Sequence, residues 1–325
     1  MVSAAPPPDR AELVATASRT IRDGSRSFHA ASQLFDRTTR ERAWLLYSWC
    51  RHCDDVCDGQ DLGHRAEQRP QALEDIEALT RDTLAGAPPD IFFYQALAAV
   101  LDECAIPHRF LTDHLAGFAL DTEGWRPQDE RDLVTYCYHV AGAVGCMMAV
   151  VMGVDPRDED TLESASALGI SFQLSNIARD LKEDRAAGRC YVPASWLREY
   201  SVDPAAGLPA DDPDMLAVIA ARLVRLADQH ELKARKGVPM LPFRSRWAVL
   251  AAARIYGEIG RRVAALGPAA WDKRVVIRRR VKLRFLLSSF VETLRTGGGE
   301  GRSYPVRAEP VRSAGSRHQG VAGER

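Results

Sequence analysis

The fold turns on the stretch Gln173-Leu174-Ser175-Asn176-Ile177-Ala178-Arg179-Asp180-Leu181-Lys182-Glu183-Asp184. Gln173, Asn176, Asp180 and Asp184 recur at spacings of three, four and four, so they share one face of a helix. Ile170, Leu174, Ile177 and Leu181 form an apolar stripe beside that face. The same layout stands earlier in the chain, in Tyr47-Ser48-Trp49-Cys50-Arg51-His52-Cys53-Asp54-Asp55-Val56-Cys57-Asp58. There Tyr47, Arg51, Asp54 and Asp58 make the polar face, and Leu46, Trp49, Cys53 and Val56 the apolar one. A solvent-facing acidic stripe sits opposite the apolar stripe and includes Lys partners. Here the acids stand among aromatic residues, which points them into a cavity.

Carboxylates four apart on a helix repel each other. At ~6 Å and an effective dielectric near 20 the cost is on the order of 3 kcal/mol per pair. Two such pairs facing one cavity call for cations, and ligands that are all oxygen select Mg²⁺, with Mn²⁺ as a substitute, over zinc. Mg²⁺ held by a few carboxylates completes its shell with water and phosphate oxygens, so the pattern predicts a diphosphate substrate. Gly24-Ser25-Arg26-Ser27-Phe28 adds two hydroxyls around an arginine, which serve either phosphate binding or a helix cap. The run Lys273 to Arg284 holds seven basic residues and no acid. It reads as a phosphate site, an anionic membrane surface or a solvated helix face, with Arg274 turned to the site and the rest outward.

The rest of the chain supports an all-α protein. No sustained period-two alternation appears, and no Asn-Gly turn joins two apolar runs. Helical periodicity covers 10–23, 38–58, 70–84, 91–104, 108–120, 130–154, 159–184, 213–236, 246–266 and 273–295. The connections are short, which favours one domain over residues 10–295, between a disordered lead (1–9) and a Gly-rich disordered tail (296–325). Leu133 to Val154 carries no Asp, Glu, Lys or Arg over 22 residues, enough to span a bilayer. Its polar first third and its Ala-Gly-Ala-Val-Gly centre mark it instead as a fully buried central helix to which something packs closely.

Charge and cysteine content exclude several classes. With 43 Lys and Arg against 44 Asp and Glu, the net charge of −1 gives no global reason to bind nucleic acid. Seven Cys, an odd number, read as reduced thiols in a cytoplasmic setting, and no secretory signal opens the chain. No dinucleotide fingerprint appears, so no NADPH is expected. A helical metal phosphohydrolase would place His beside both acid pairs. His52 adjoins the first, but none adjoins Asp180.

These residues together resemble the squalene/phytoene synthase family. The resemblance is carried by Ser25-Arg26-Ser27-Phe28, by Tyr47 to Gly59, and by Tyr136-Cys137-Tyr138-His139-Val140-Ala141-Gly142-Ala143-Val144-Gly145. It continues through Gln173 to Asp184 with Gly188-Arg189-Cys190-Tyr191-Val192-Pro193, Ile255-Tyr256 and the basic stretch 273–282, and covers roughly residues 10 to 290. The wording around Asp54 is most similar to that of the bacterial phytoene-forming members. Position 183 is Glu where many of these carry Asp.

The resemblance implies an isoprenoid-synthase helical bundle with a central cavity. It implies head-to-head joining of two geranylgeranyl diphosphates through a cyclopropyl diphosphate to phytoene. The alternative within the fold is squalene or a C30 dehydrosqualene from farnesyl diphosphate. In a different class stands a non-catalytic helical assembly protein. By the resemblance Asp54, Asp58, Asp180 and Asp184 hold Mg²⁺, with Asn176 and Gln173 positioning metal or phosphate. Ser25, Arg26, Ser27, Arg51 and Arg274 bind diphosphate, and Tyr47, Tyr136 and Tyr256 line the cavity near carbocations. A cytoplasmic enzyme peripheral at the inner membrane is the expected setting, because burial of ~0.8 kcal/mol per CH₂ makes a long apolar product hard to release into water.

Overall fold

The computed structural model describes residues 9–57, 60–61, 64–65 and 71–296. Thirteen α-helices are present among them. The first six are α1 (Arg10–Gly24), α2 (Arg26–Ser32), α3 (Arg37–Cys57), α4 (Ala72–Leu84), α5 (Phe92–Glu103) and α6 (His108–Thr122). They are followed by α7 (Glu130–Cys137), α8 (Ala143–Val151), α9 (Glu159–Ala186) and α10 (Ala194–Glu199). The last three are α11 (Pro213–Ala234), α12 (Phe243–Leu266) and α13 (Arg279–Arg295). Between α3 and α4 a two-residue antiparallel pair, β1 (Gln60–Asp61) and β2 (His64–Arg65), matches Gln60 with Arg65. This ladder and the short helices α2 and α10 go beyond the sequence reading. The expected lead (1–9) and tail (296–325) fall largely outside the described residues.

Local chemistry sets the helix starts. The Asp212 side chain accepts from Met215 N at 2.9 Å ahead of Pro213, whose missing N–H costs nothing in a first turn. Asp158 caps α9 through Thr161 N at 3.1 Å, and Asp129 caps α7 through Asp132 N at 3.0 Å.

The 28-residue α9 runs through the middle of the bundle, packed by α8, α11 and α12. One apolar core gathers α1, α3, α5, α6 and α8 around Trp49, Tyr94 and Met147. A second gathers α7, α9, α11 and α12 around Leu174, Ile219 and Trp196. The small residues of 141–145 are where α8 meets α9. A Cβ on Gly145 would lie 2.4 Å from the Ala165 carbonyl oxygen, and one on Gly169 would lie 2.2 Å from that of Ala141.

Two sequence expectations need correction. The run 130–154 ends at Val151 and is interrupted by a π-helical turn at Tyr138–Gly142. By length and composition its Glu130–Val151 run could cross a membrane, but it packs between α6 and α9. Nor is it fully buried, because Val140 and Val144 are partly exposed to an internal cavity. The basic stretch is not one helix either. Residues 274–278 are extended and helix begins at Arg279. Val275 and Ile277 are buried there and Val276 is exposed, which is strand-like alternation.

Candidate active site

A cavity of about 980 Å³ opens between the two cores, with walls from α2, α3, α6, α7, α8, α9 and α12. Ser25, Tyr47, Arg51, Asp54, Tyr136, Gln173, Asn176, Asp180, Asp184 and Tyr256 all line it, so ten of the residues singled out from the sequence meet in one place. Asp58 lies outside the described residues, as do the side chains of Arg26 and Ser27. Arg274 stands at the rim, with Nη2 3.0 Å from Asp180 Oδ1 and Nη1 3.7 Å from Glu183 Oε1. Ser25 faces the cavity and also caps α2, its Oγ accepting from Phe28 N at 3.3 Å.

The acidic stripes are salted with arginine rather than bare. Arg51 reaches Asp54 at 3.3 Å and the buried Asp55 at 2.6 Å. Arg179 Nε donates to Asp180 Oδ1 at 2.8 Å, and Arg189 Nε stands 3.8 Å from Asp184 Oδ1. Trp271 Nε1 donates to the Arg179 carbonyl at 3.1 Å, which ties the extended 274–278 segment to α9. Arginine at each carboxylate keeps the acidic pairs folded together and offers guanidinium forks to a phosphate.

One carboxylate stays poorly compensated. Burial, followed by the charges of Asp180, Asp121 and Glu183, pushes Asp184 up to about 7 against the opposing pull of Arg189. A cation beside Asp184 relieves that cost. The donors fit a hard divalent ion, because Asp54, Asp180, Asp184 and Asn176 offer oxygen only. Cys50 also lines the cavity, and burial pushes its thiol up to about 12. Among the described residues no three acidic, His or Cys side chains converge tightly enough to enclose an ion by themselves.

The remaining wall is aromatic. Tyr136 stacks on Tyr191 with centroids 4.7 Å apart, and Trp125 stacks on Tyr136 at 5.7 Å. Tyr256 stacks on Phe172 at 4.3 Å, and Phe28 packs on Tyr47 at 5.3 Å. Burial raises the Tyr47 phenol to about 12, so the ring faces the cavity uncharged. Asp121 was missed from sequence. Its carboxylate accepts from Tyr136 Oη at 2.9 Å and from Tyr191 Oη at 2.8 Å, fixing both rings. Arg189, Tyr191 and His114 also line the cavity without having been singled out as site residues, and Arg179 was missed beside it.

An all-α bundle whose two acid-bearing helices face one cavity defines a class of synthases acting on diphosphates. The family model for squalene/phytoene synthases matches residues 21–284, and the chain belongs to that family. The 15-cis-phytoene synthase of Pantoea ananas is 40% identical over 311 residues, covering 93% of this chain and 96% of that protein. The 15-cis-phytoene synthase of Enterobacter agglomerans is 43% identical, covering 82% and 91%. Among solved structures, a dehydrosqualene synthase in complex with ligand superposes with a TM-score of 0.78 at 24% identity, covering 89% of this chain and 98% of that one.

Proposed function

We propose that this protein is a Mg²⁺-dependent prenyltransferase that joins two geranylgeranyl diphosphates head to head to give 15-cis-phytoene. The observation that carries this reading is the meeting of α3 and α9 across one cavity. Asp54 comes from one side and Asn176, Asp180 and Asp184 from the other, with stacked aromatic rings completing the walls. Relatives named for this activity match most of the chain.

Asp54, Asp180, Asp184 and Asn176 would hold the metal, which when bound neutralises the diphosphate and the charge that grows on it as its C–O bond breaks. Arg51 and Arg274 bind diphosphate oxygens from opposite rims, exchanging their present carboxylate partners for phosphate. Ser25 donates its hydroxyl from the start of α2. The prenyl tails lie along the apolar stretch formed by Phe118, Val140 and Val144. There the aromatic wall around Tyr136 and Tyr256 offers π density near positive carbon and the packed walls exclude water. Asp121 positions the Tyr136 ring by taking its phenolic proton in a hydrogen bond.

Purified protein supplied with Mg²⁺ and either geranylgeranyl or farnesyl diphosphate tests the reading by product mass. A C40 hydrocarbon from the first substrate is expected. A C30 hydrocarbon from the second, with nothing from the first, would replace this reading with the dehydrosqualene one. Chelation of divalent metal is expected to abolish turnover, and restored Mg²⁺ to return it.

A further inference from the structure

Helix α13 shows two chemically distinct faces. Its inner face is fastened to α12: Trp247 Nε1 donates to the Leu286 carbonyl at 2.8 Å, Phe290 packs on Trp247 at 5.1 Å, and Ser289 and Thr293 are buried. Glu292, the one acid of the helix, also turns inward, to Arg235 at 3.0 Å and to Arg254. The outer face carries Leu283, Leu287, Val291 and Leu294, all between 44% and 60% exposed. At ~100° per residue these four and Arg280, Arg284 and Arg295 fall within an arc of about 120°. The exposed Val276, beside Arg278 and Arg279, extends the surface back toward the site rim, where Arg274 meets Asp180.

We propose that this outer face of α13 docks the protein on an anionic lipid surface, the leucines entering the acyl boundary and the arginines meeting the headgroups. Four large apolar side chains in one solvent-facing arc are costly in water, and a lipid interface relieves that cost. Charge selects the occupant. The arc holds arginine and no acid, so an anionic headgroup layer complements it. A second copy of the chain would set arginines against arginines across a two-fold contact. Residues 297–325 hold five Arg and three Glu, so they do not supply the opposite charge either.

Flotation of the full-length protein with phosphatidylcholine vesicles, with and without phosphatidylglycerol, tests this. The wild-type chain is expected to float with the anionic vesicles alone and to be released by salt. Arg280→Glu with Arg284→Glu is expected to weaken binding on the order of tenfold or more, and Leu287→Glu to abolish it. All variants are expected to keep wild-type turnover in detergent, which shows that they fold. Absence of wild-type binding, or binding that Leu287→Glu leaves unchanged, would overturn the proposal. So would a dimer in light scattering that Leu287→Glu splits, or hydrogen-exchange protection across 283–294 in lipid-free protein, since either shows the face already covered.

Discussion

The two acid-bearing helices present the same sequence pattern and are built differently. On α3 the Asp54 side chain is 48% exposed, and it pairs with Arg51 on the same helix. On α9 Asp180 and Asp184 are each 18% exposed, and their arginines come from the same helix, from the 188–193 loop and from the extended segment before α13. Among the described residues the α3 ion pairs thus lie within one helix, on a carboxylate half open to solvent. The α9 wall is a tertiary construction in which the carboxylates also help to hold the fold. If so, equivalent substitutions will separate catalysis from stability on one side only.

The largest effect tests that separation directly. Asp54→Ala and Asp180→Ala are both expected to lower kcat by about 10³-fold or more, because each removes a carboxylate that anchors the charge-stabilising metal. Thermal unfolding should tell them apart. Asp54→Ala removes a half-exposed carboxylate and leaves Arg51 its short contact with Asp55, so the melting temperature should fall less than in Asp180→Ala. Asp180→Ala strands the largely buried Arg179 and should cost on the order of 3 kcal/mol. Equal melting temperatures would make the two walls equivalent after all.

Glycines probe the same contrast through packing. A Cβ at Gly169 meets backbone, 2.2 Å from the Ala141 carbonyl oxygen, and α8 and α9 must move apart to admit it. Gly169→Ala should therefore destabilise by about 3 kcal/mol, or leave the protein insoluble. A Cβ at Gly24 meets side chains on the α3 side, tightly only at the Tyr47 hydroxyl, 2.9 Å away. Gly24→Ala should leave stability within about 1 kcal/mol and act on turnover by displacing Tyr47 in the cavity. Circular-dichroism melts of the two variants, read beside their kcat, check both statements.

Much of this was legible before any coordinates, and the misses have physical causes. The long helices announce themselves because a 3.6-residue pattern repeats over many turns, and the acidic stripes are read from spacing alone. Helices of six and seven residues, α10 and α2, offer too few turns for a period to emerge. The periodicity of α13 carries the helix back to 273 in the sequence, because Val275, Val276 and Ile277 are consecutive apolar residues whose alternation between buried and exposed arises only in the folded chain. Asp121 and Arg189 carry no spacing signal at all. Each is a single polar residue whose partners, the Tyr136 and Tyr191 phenols and the Asp184 carboxylate, arrive from other elements only when the bundle closes.

Acid should weaken the α3 side more than the α9 side. Burial lowers His114 and His52 to about 4 on that side, where His114 packs on Trp49 and His52 stacks on Phe93. On the α9 side His230 alone is lowered to about 4. An unfolded chain takes up protons on these imidazoles near their ordinary 6.5, and the folded chain only near 4. Between those values the unfolded state binds more protons on the imidazoles, so their contribution to stability is complete above pH ~6.5 and falls as pH drops toward 4, while Asp184, raised to about 7, works in the opposite direction on the α9 side. The fully buried His114 accounts for about 3 kcal/mol of that loss. Urea melts across pH 4 to 7 should show it, and His114→Gln should flatten the slope more than His230→Gln does. A reversed order would locate the acid-sensitive core on the other side of the cavity.

The smallest expected effect concerns the two arginines at opposite rims. Arg274 is 53% exposed, so solvent and salt screen its pull on a diphosphate. Arg51 is 21% exposed and held by Asp54 and Asp55 within its own helix. Arg274→Gln should raise KM by less than about tenfold with little change in kcat, and raised salt should mask the difference. Arg51→Gln removes a guanidinium that is already oriented where charge develops, so it should lower kcat itself, by about 10²-fold. Steady-state kinetics at two salt concentrations separates the cases. If both substitutions moved only KM, Arg51 would be binding the ground state no differently from Arg274, and burial on the α3 wall would confer no catalytic advantage.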